Sequence, residues 1–543
     1  MPVVDLIVVN GNIVTMDPAR PRAEAMAIRA GRIVALGRSD EMRDLAGAGT
    51  RHVDAGGRMV LPGFQDTHIH LQDSGHDYSQ AVDLSPAKTV GELQEILRRH
   101  AETAGGEWVL GSGWNGGYFS EANLARQVID AVVPGRPCYI TSSDYHNACL
   151  NSAGCERLGM TAATPDPPNG HFVRQPDGAP TGLVYEDAMI WIAERMPPVT
   201  DADYRQGVLA AQALANRHGL TGVLDASVKE RHARVYARLE QAGELSLRIA
   251  STARIEPHEQ AGEALERVLA LRAMHRSDLF KVHSAKFFLD GVFENRTAAM
   301  IDAYADDAGG NAPLMFSRDQ IMDFFPLFDA ARFQLHVHAI GDGAVRAALD
   351  GMQEAIRQNG RWPGLHQIAH VQTVHPDDIG RFRALGVMAN LQPLWAHVEP
   401  SITDLVLPIL GPGRAAGLYA FRSLIDAGAP FTLSSDWGVS SLNPFEIMET
   451  AVTRQPPGAA SHPVLMPEER LTRFEALAGY TVNAARAAWN GELCGALAPG
   501  RYADFIIPDR DILACDIYEL GRTEVLLTVL EGREVYRSAA FDG

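Results

Sequence analysis

Cysteine is scarce in this chain. Its 543 residues include five, Cys138, Cys149, Cys155, Cys494 and Cys515, an odd count at irregular spacings with no CxxC pair. That excludes a disulfide framework and a zinc ribbon, and it points to a reducing compartment, the cytoplasm. Positive charge is short as well: 48 Lys and Arg stand against 67 Asp and Glu, a net −19 at pH 7. Nucleic acid is therefore excluded as a partner, because it requires basic patches. No apolar run reaches the roughly 20 residues a membrane span needs. The opening MPVVDLIVVNGNIVTMD has no basic n-region and no small-residue cleavage site, so it does not read as a signal peptide. A GxSxG nucleophile elbow is missing too. What remains is globular, with 46% hydrophobic and 21% charged residues. The length fits one large domain plus a smaller one.

Both ends are rich in short strand-like runs. Leu6 to Val9, Ile13 to Met16, Ala25 to Arg29 and Ile33 to Leu36 lie in residues 1–62, and Asn10-Gly11 between the first two predicts a hairpin. Near the other end stand Ala503 to Ile507 and Val525 to Leu530, with Glu531-Gly532 before Arg533 to Tyr536. The expected layout is one small β domain made from residues 1–62 and 490–543, flanking a main domain at 63–489. Within the main domain, strand-like runs alternate with helical segments. Eight are counted: Met59 to Phe64, Thr221 to Ala226, Leu247 to Arg254, Val282 to Leu289, Gln334 to Ala339, Gln367 to Val371, Val387 to Leu391 and Phe431 to Ser435. This order predicts an α/β fold, a (β/α)8 TIM-like barrel, with an open doubly wound sheet as the alternative. The gap between the first two runs is too long for one βα unit, so an insertion over the barrel mouth is expected at about 75–205.

The chemistry gathers at strand ends. His68-Ile69-His70 ends the first barrel strand, and residues i and i+2 of a strand face one side, so both imidazoles can reach one cation. Lys286 lies in the fourth run, His338 ends the fifth, His370 the sixth and Asp436 the eighth. In a barrel these ends converge on one mouth. Each residue alone has an ordinary reading as a packed histidine, a paired lysine or a capping aspartate; together they outline a metal centre. Lys286 has two readings. Carboxylated by carbon dioxide, it would bridge two divalent ions about 3.5–4 Å apart. Unmodified, it would pair with Asp290 or a substrate anion and leave one ion. Zinc suits the donor set, and iron, manganese and nickel also accept it. Such ions lower the pKa of a water and polarise a carbonyl. Asp436 would take the proton of that water and pass it to the leaving group.

These residues also carry a resemblance. DLIVVNGNIVTMD, VLPGFQDTHIH, GSGWN, SSDYHNACLNS, PTGLVYEDA, KFFLDGVFENRTAAM, HAIGDGAV, IAHVQTV, LSSDWGVSSLNPF and GALAPGRYADFIIPD occur in that order along nearly the whole chain. The sequence resembles the amidohydrolase superfamily, and within it the YtcJ-like branch that includes N-substituted formamide deformylases. The resemblance implies a metal-bearing barrel, a sandwich from both chain ends, and ligand roles for His68, His70, His338, His370 and Asp436, with Lys286 at the lysine position. Three departures stand out. Gly438 replaces a usual proline, Tyr145 replaces the glycine of a DGH-like pattern, and His336 adds a second HxH. His336 shares a strand face with His338 and reads as a packed or supporting histidine.

Three substrate-binding candidates lie outside the metal set. Trp114, in GSGWN, is either a substrate wall or insertion core. His146 is either a hydrogen-bond donor to a substrate carbonyl or a plain loop histidine. Arg296 is either a carboxylate binder or one half of an ion pair. Glu186 reads as a helix-capping acid. The function expected is hydrolysis of a non-peptide C–N bond, an amide or an N-formyl or N-acyl amine, in a small molecule. Ester or cyclic-amide hydrolysis and deamination are the alternatives on the same site, followed by isomerase or lyase chemistry and by a non-catalytic ligand-binding barrel. A homodimer is compatible with the sequence, and no membrane partner is expected.

Overall fold

The computed structural model describes residues 4–306 and 310–543. Its centre is an eight-stranded parallel sheet. The strands are β1 (Phe64–Ile69), β2 (Leu220–Val228), β3 (Arg248–Arg254), β4 (Phe280–Phe288), β5 (Gln334–Ala339), β6 (Gln367–His370), β7 (Met388–Leu391) and β8 (Phe431–Leu433). Helices Glu230–Gln241, Ala261–Met274, Arg318–Ala330, Asp342–Asn359, Pro376–Leu385 and Phe421–Asp426 return the chain between consecutive strands. This is a TIM-like barrel, as the alternation of runs predicts.

The two-residue period of a strand sorts the side chains. On β4, Ala285 and Phe287 face outward, and Phe287 packs at 5.0–5.9 Å between ring centroids against Phe316, Phe324, Phe325 and Phe328. Aromatic pairs of this kind contribute about 0.5–1.5 kcal/mol each beyond area burial. Lys286, between them, takes the opposite face. On β5 the same alternation sends Leu335, Val337 and Ala339 into the outer core and leaves His336 and His338 on the other face.

Ladder pairing joins every neighbouring pair from β1 through β2 and on to β8. The remaining seam, between β8 and β1, is held differently. Thr67 Oγ1 donates to Leu433 O at 3.3 Å. The buried Asp66 carboxylate accepts from His68 N at 3.1 Å and from Ser435 N at 3.0 Å. Beyond the strand ends, Asp436 N donates to His68 O at 2.9 Å and His70 N to Trp437 O at 2.8 Å.

Two expectations are corrected. Met59–Pro62 is not the first barrel strand; it lies antiparallel to Phe505–Pro508 in a sheet at the chain ends. The chain leaves that sheet at Gly63, where an added Cβ would lie 2.3 Å from Thr221 of β2, and only then enters β1. Asn10-Gly11 is not a hairpin either. Leu6–Val9 pairs with Ala25–Arg29 and Arg51–Asp54, while Asn12–Val14 pairs with Arg22–Ala23 and Met59–Pro62. The turn, with Asn10 at φ 54°, carries the chain from one sheet to another. The second of these sheets also takes Phe505–Pro508, Val525–Leu530 and Arg533–Arg537, and a buried apolar cluster from Leu6 to Phe541 lies between the two sheets.

Between β1 and β2 stands a six-stranded sheet in the order Gly170–Arg174, Pro180–Glu186, Asn147–Leu150, Cys138–Ser142, Val109–Trp114, Val82–Asp83. Helices Leu71–Gln80 and Asp201–Arg217 connect it to the barrel and meet where Gly75 abuts Gly207. Among the described residues no helix is long and apolar enough to cross a membrane.

Replacing Asp66 with alanine strands two buried N–H groups at the seam, each costing about 1–3 kcal/mol. We expect Asp66→Ala to lose about 2–4 kcal/mol in urea unfolding; a loss under about 0.5 kcal/mol would show that the carboxylate does not hold the seam.

Candidate metal centre

The seam delivers three of the expected residues to one place. One donor atom each from His68, His370 and Asp436 lies within 4.8 Å of the others, all on buried side chains. His68 Nε2 is 3.6 Å and His70 Nε2 3.3 Å from Asp436 Oδ1. His370 Nδ1 is 3.9 Å from Asp436 Oδ2. Lys286 Nζ is 3.2 Å from His68 Nε2. The alternative pairing of Lys286 with Asp290 is not formed. Asp290 instead accepts from Ala299 N, Ile340 N and Gly341 N at 2.8–3.0 Å. His338 has its ring centroid 4.4 Å from that of His370, but its Nε2 lies against Gly291 O at 3.3 Å.

The electrostatics suit a cation. Burial, reinforced by the Lys286 ammonium, pulls His68, His336 and His338 well below the usual imidazole range. Burial and the neighbouring His338 and Lys286 do the same to His370. Neutral imidazole is the form that ligates metal. Burial draws Lys286 down to about 7 against the attraction of Asp436. Asp436 Oδ1 is buried with no hydrogen-bond partner among the described residues. An orphaned carboxylate oxygen among neutral imidazoles is costly unless a cation neutralises it, so the donor set fits a divalent ion. Backbone strain marks the same tips: Asp436 has φ 53° and His370 φ 79°, conformations that persist only where the surroundings enforce them.

Supporting contacts orient the imidazoles. His336 Nε2 lies 2.8 Å from His68 Nδ1, which leaves His68 Nε2 toward Lys286 and Asp436. His370 Nδ1 is 3.0 Å from Gln392 Oε1, and its ring stacks on Trp395 at 5.2 Å. Gln392 in turn donates to Ser434 Oγ at 2.7 Å and Asn390 Oδ1 at 3.1 Å. Asp66, Gln392 and Trp395 escape sequence reading because neither spacing nor motif singles them out.

The weaker candidates separate. Trp114 is 1% exposed, packed in the core of the insertion against Phe119. Arg296 forms an ion pair with Asp306, Nη2 to Oδ1 at 2.8 Å. His146 Nδ1 meets Glu186 Oε2 at 2.7 Å. Glu186 precedes helix Asp187–Ala193 but makes no side-chain cap; its carboxylate goes to His146, Asn295 and Thr297. Tyr145 and Gly438 meet each other. A Cβ at Gly438 would lie 2.6 Å from the Tyr145 hydroxyl and 2.9 Å from Ser74 Oγ, and Gly438 N donates to Ser74 Oγ at 2.7 Å. The glycine makes room for the phenol, so the two sequence departures are one packing solution.

A TIM-like barrel with imidazoles, a lysine and an aspartate at its strand tips defines a metal-dependent hydrolase. The family model described as "Amidohydrolase family" matches residues 51–536, and the chain belongs to that family, an enzyme acting on carbon–nitrogen bonds. It is 30% identical to Protein LONG AFTER FAR-RED 3 of Arabidopsis thaliana, over 98% of this chain and 92% of that one. It is 28% identical to the N-substituted formamide deformylase of Arthrobacter pascens, over 97% of each. A solved structure of an uncharacterized metal-dependent hydrolase from Pyrococcus horikoshii superposes with TM-score 0.75 at 25% identity, covering 94% of this chain and 99% of that one.

Gly438→Ala drives a methyl into the Tyr145 hydroxyl and displaces the Asp436 loop. We expect it to cut kcat at least about tenfold, and adding Tyr145→Phe to restore part of the loss, the crowding by Ser74 remaining, since overpacking of this kind costs about 1–3 kcal/mol. A double variant no better than Gly438→Ala alone would refute the contact.

Proposed function

We propose that this enzyme hydrolyses the amide-like C–N bond of a small N-formyl or N-acyl amine. The observation that carries the reading is Asp436 Oδ1, a buried acceptor without a hydrogen-bond donor among the described residues, set beside His70 and the neutral imidazoles of His68 and His370. Full-length similarity to a formamide deformylase supports the substrate class. His68, His70, His370 and Asp436 would hold one divalent ion, zinc in our reading. His338 and a carboxylated Lys286 would complete a second site; held near 7, Lys286 is substantially the neutral amine, the form that adds carbon dioxide. When bound, such ions supply Lewis acidity toward a carbonyl and acidify a water.

The side chains do the rest. Asp436 accepts a proton from the attacking water. His336 and Gln392 hold His68 and His370 in the tautomers that keep their other nitrogens free as donors to the ion. The sheet at Val82–Glu186 acts as a cap that brings His146 to the substrate, while the two terminal sheets form a sandwich that supports the barrel floor. Five cysteines without a disulfide among the described residues support a cytoplasmic setting.

The test is amine release from a panel of N-formyl, N-acyl, ester, cyclic-amide and aminopurine compounds by metal-loaded protein. Preference for the acyclic amides supports the proposal; turnover confined to another arm replaces it. His68→Ala and Asp436→Asn should each lower kcat by at least about 1000-fold, in the range of removing a proton acceptor or ligand, with the melting temperature little changed. Retained activity in either would overturn the assignment. Lys286→Ala should lose at least one metal per chain by elemental analysis, with partial recovery in a short carboxylic acid; full metal content would remove the bridging role.

A further inference from the structure

A half-buried imidazole–carboxylate pair spans the junction of insertion and barrel. His146 Nδ1 lies 2.7 Å from Glu186 Oε2. The other oxygen, Glu186 Oε1, accepts from Asn295 Nδ2 at 3.1 Å and Thr297 Oγ1 at 3.2 Å. His146 N donates to Asp144 Oδ1 at 3.0 Å. The imidazole is thus fixed at its backbone and at Nδ1. Its Nε2 makes no hydrogen bond among the described residues, although 22% of the side chain stays open. A fixed ring with one free N–H on an open side is the arrangement of a proton donor oriented by a carboxylate.

The pair is tied to the metal centre through the loop after β4. Thr297 holds Glu186, and the same hydroxyl accepts from Val292 N at 2.9 Å. Gly291 N donates to Thr297 O at 3.0 Å, and Gly291 O faces His338 Nε2 at 3.3 Å. One short loop therefore touches Glu186 at one end and a strand-tip histidine at the other. Each of the three segments that meet at the pair carries a non-glycine residue in the left-handed region: Tyr145 at φ 59°, Glu186 at φ 51° and Arg296 at φ 58°. Strain of this kind collects where function requires a fixed geometry.

We propose that His146, in place of the Asp436 relay expected from the sequence, is the proton donor to the leaving nitrogen, with Glu186 as the positioning residue that aligns and charges it. This rests on the amide-hydrolysis reading above. The water oxygen bonds to the carbonyl carbon while Asp436 takes the water's proton. The C–N bond then breaks, its electron pair stays on nitrogen, and His146 Nε2–H supplies the proton that makes a neutral amine. His146 is left neutral and regains a proton from solvent, as Asp436 returns its own.

The charges around the ring favour this role. Asp144 faces His146 from its own loop, Glu186 from strand Pro180–Glu186 and Glu294 from the loop after β4, while Asp290 and His338 lie toward the barrel. Burial opposes the positive charge, but Glu186 and then Asp144 and Glu294 outweigh it and raise His146 to about 9. The acid form therefore prevails at neutral pH, and the rate should fall as pH rises through about 9.

The experiment compares an N-formyl alkylamine with the matching N-formyl-4-nitroaniline, whose nitro-delocalised nitrogen leaves with much less help from a proton donor. On the metal-loaded enzyme, His146→Gln should lower kcat at least about 100-fold for the alkylamine and under about tenfold for the nitroanilide. Glu186→Gln should move the alkaline limb of the alkylamine profile down by at least about one pH unit. Equal losses on both substrates, or an unmoved limb, would overturn the donor role. If His146→Gln does not fold, the Glu186→Gln profile alone decides. A wild-type enzyme inert to both formamides would instead defeat the amide reading itself, and the donor with it.

Discussion

Two backbone hydrogen bonds close the barrel and make the site at the same time. Asp436 N to His68 O and His70 N to Trp437 O join β8 to β1 just past their strand ends. A parallel barrel needs its last strand held against its first, and here the ladder does not do it. The residues that complete closure are those that present imidazole and carboxylate to the centre. Asp66 reinforces the arrangement, binding one N–H from each side of the seam. Fold stability and the placement of the proposed ligands therefore share the same few bonds.

The interior shows how a protein tolerates buried titratable groups. His68, His336, His338 and His370 stay neutral because burial and Lys286 penalise their protonation. The insertion does the reverse. Carboxylates around His146 overcome burial and keep the ring charged. Neutral nitrogens thus sit at the barrel tips and a cationic one in the insertion, a division of proton affinities between two neighbouring sets of groups.

Much of this was legible in the sequence. The eight runs and the two-residue period on β4 and β5 mark the barrel and its inward-facing Lys286, His336 and His338, because periodicity is local. The HxH of β1 marks His68 and His70 for the same reason. What stayed hidden depends on distant partners. Met59–Pro62 looks like a barrel strand until Gly63 is seen pressed against Thr221. Asn10-Gly11 looks like a hairpin because a turn's flanks do not say whether they pair with each other. Glu186 reads as a cap, yet Asn295 and Thr297, over a hundred positions away, claim it. Trp114 sits in a motif that invites a substrate, but its neighbours are Phe119 and the insertion core.

The meeting of Tyr145 with Gly438 has a historical implication. With a side chain at 438 and a phenol at 145, the hydroxyl and the Cβ would need the same space. A lineage moving from a bulkier residue at 438 and a glycine at 145 therefore had a permitted order of change. Loss of the side chain at 438 leaves only a small void, which a later tyrosine fills; the opposite order passes through a collision beside Asp436. Each position's tolerated alphabet is thus conditional on the other.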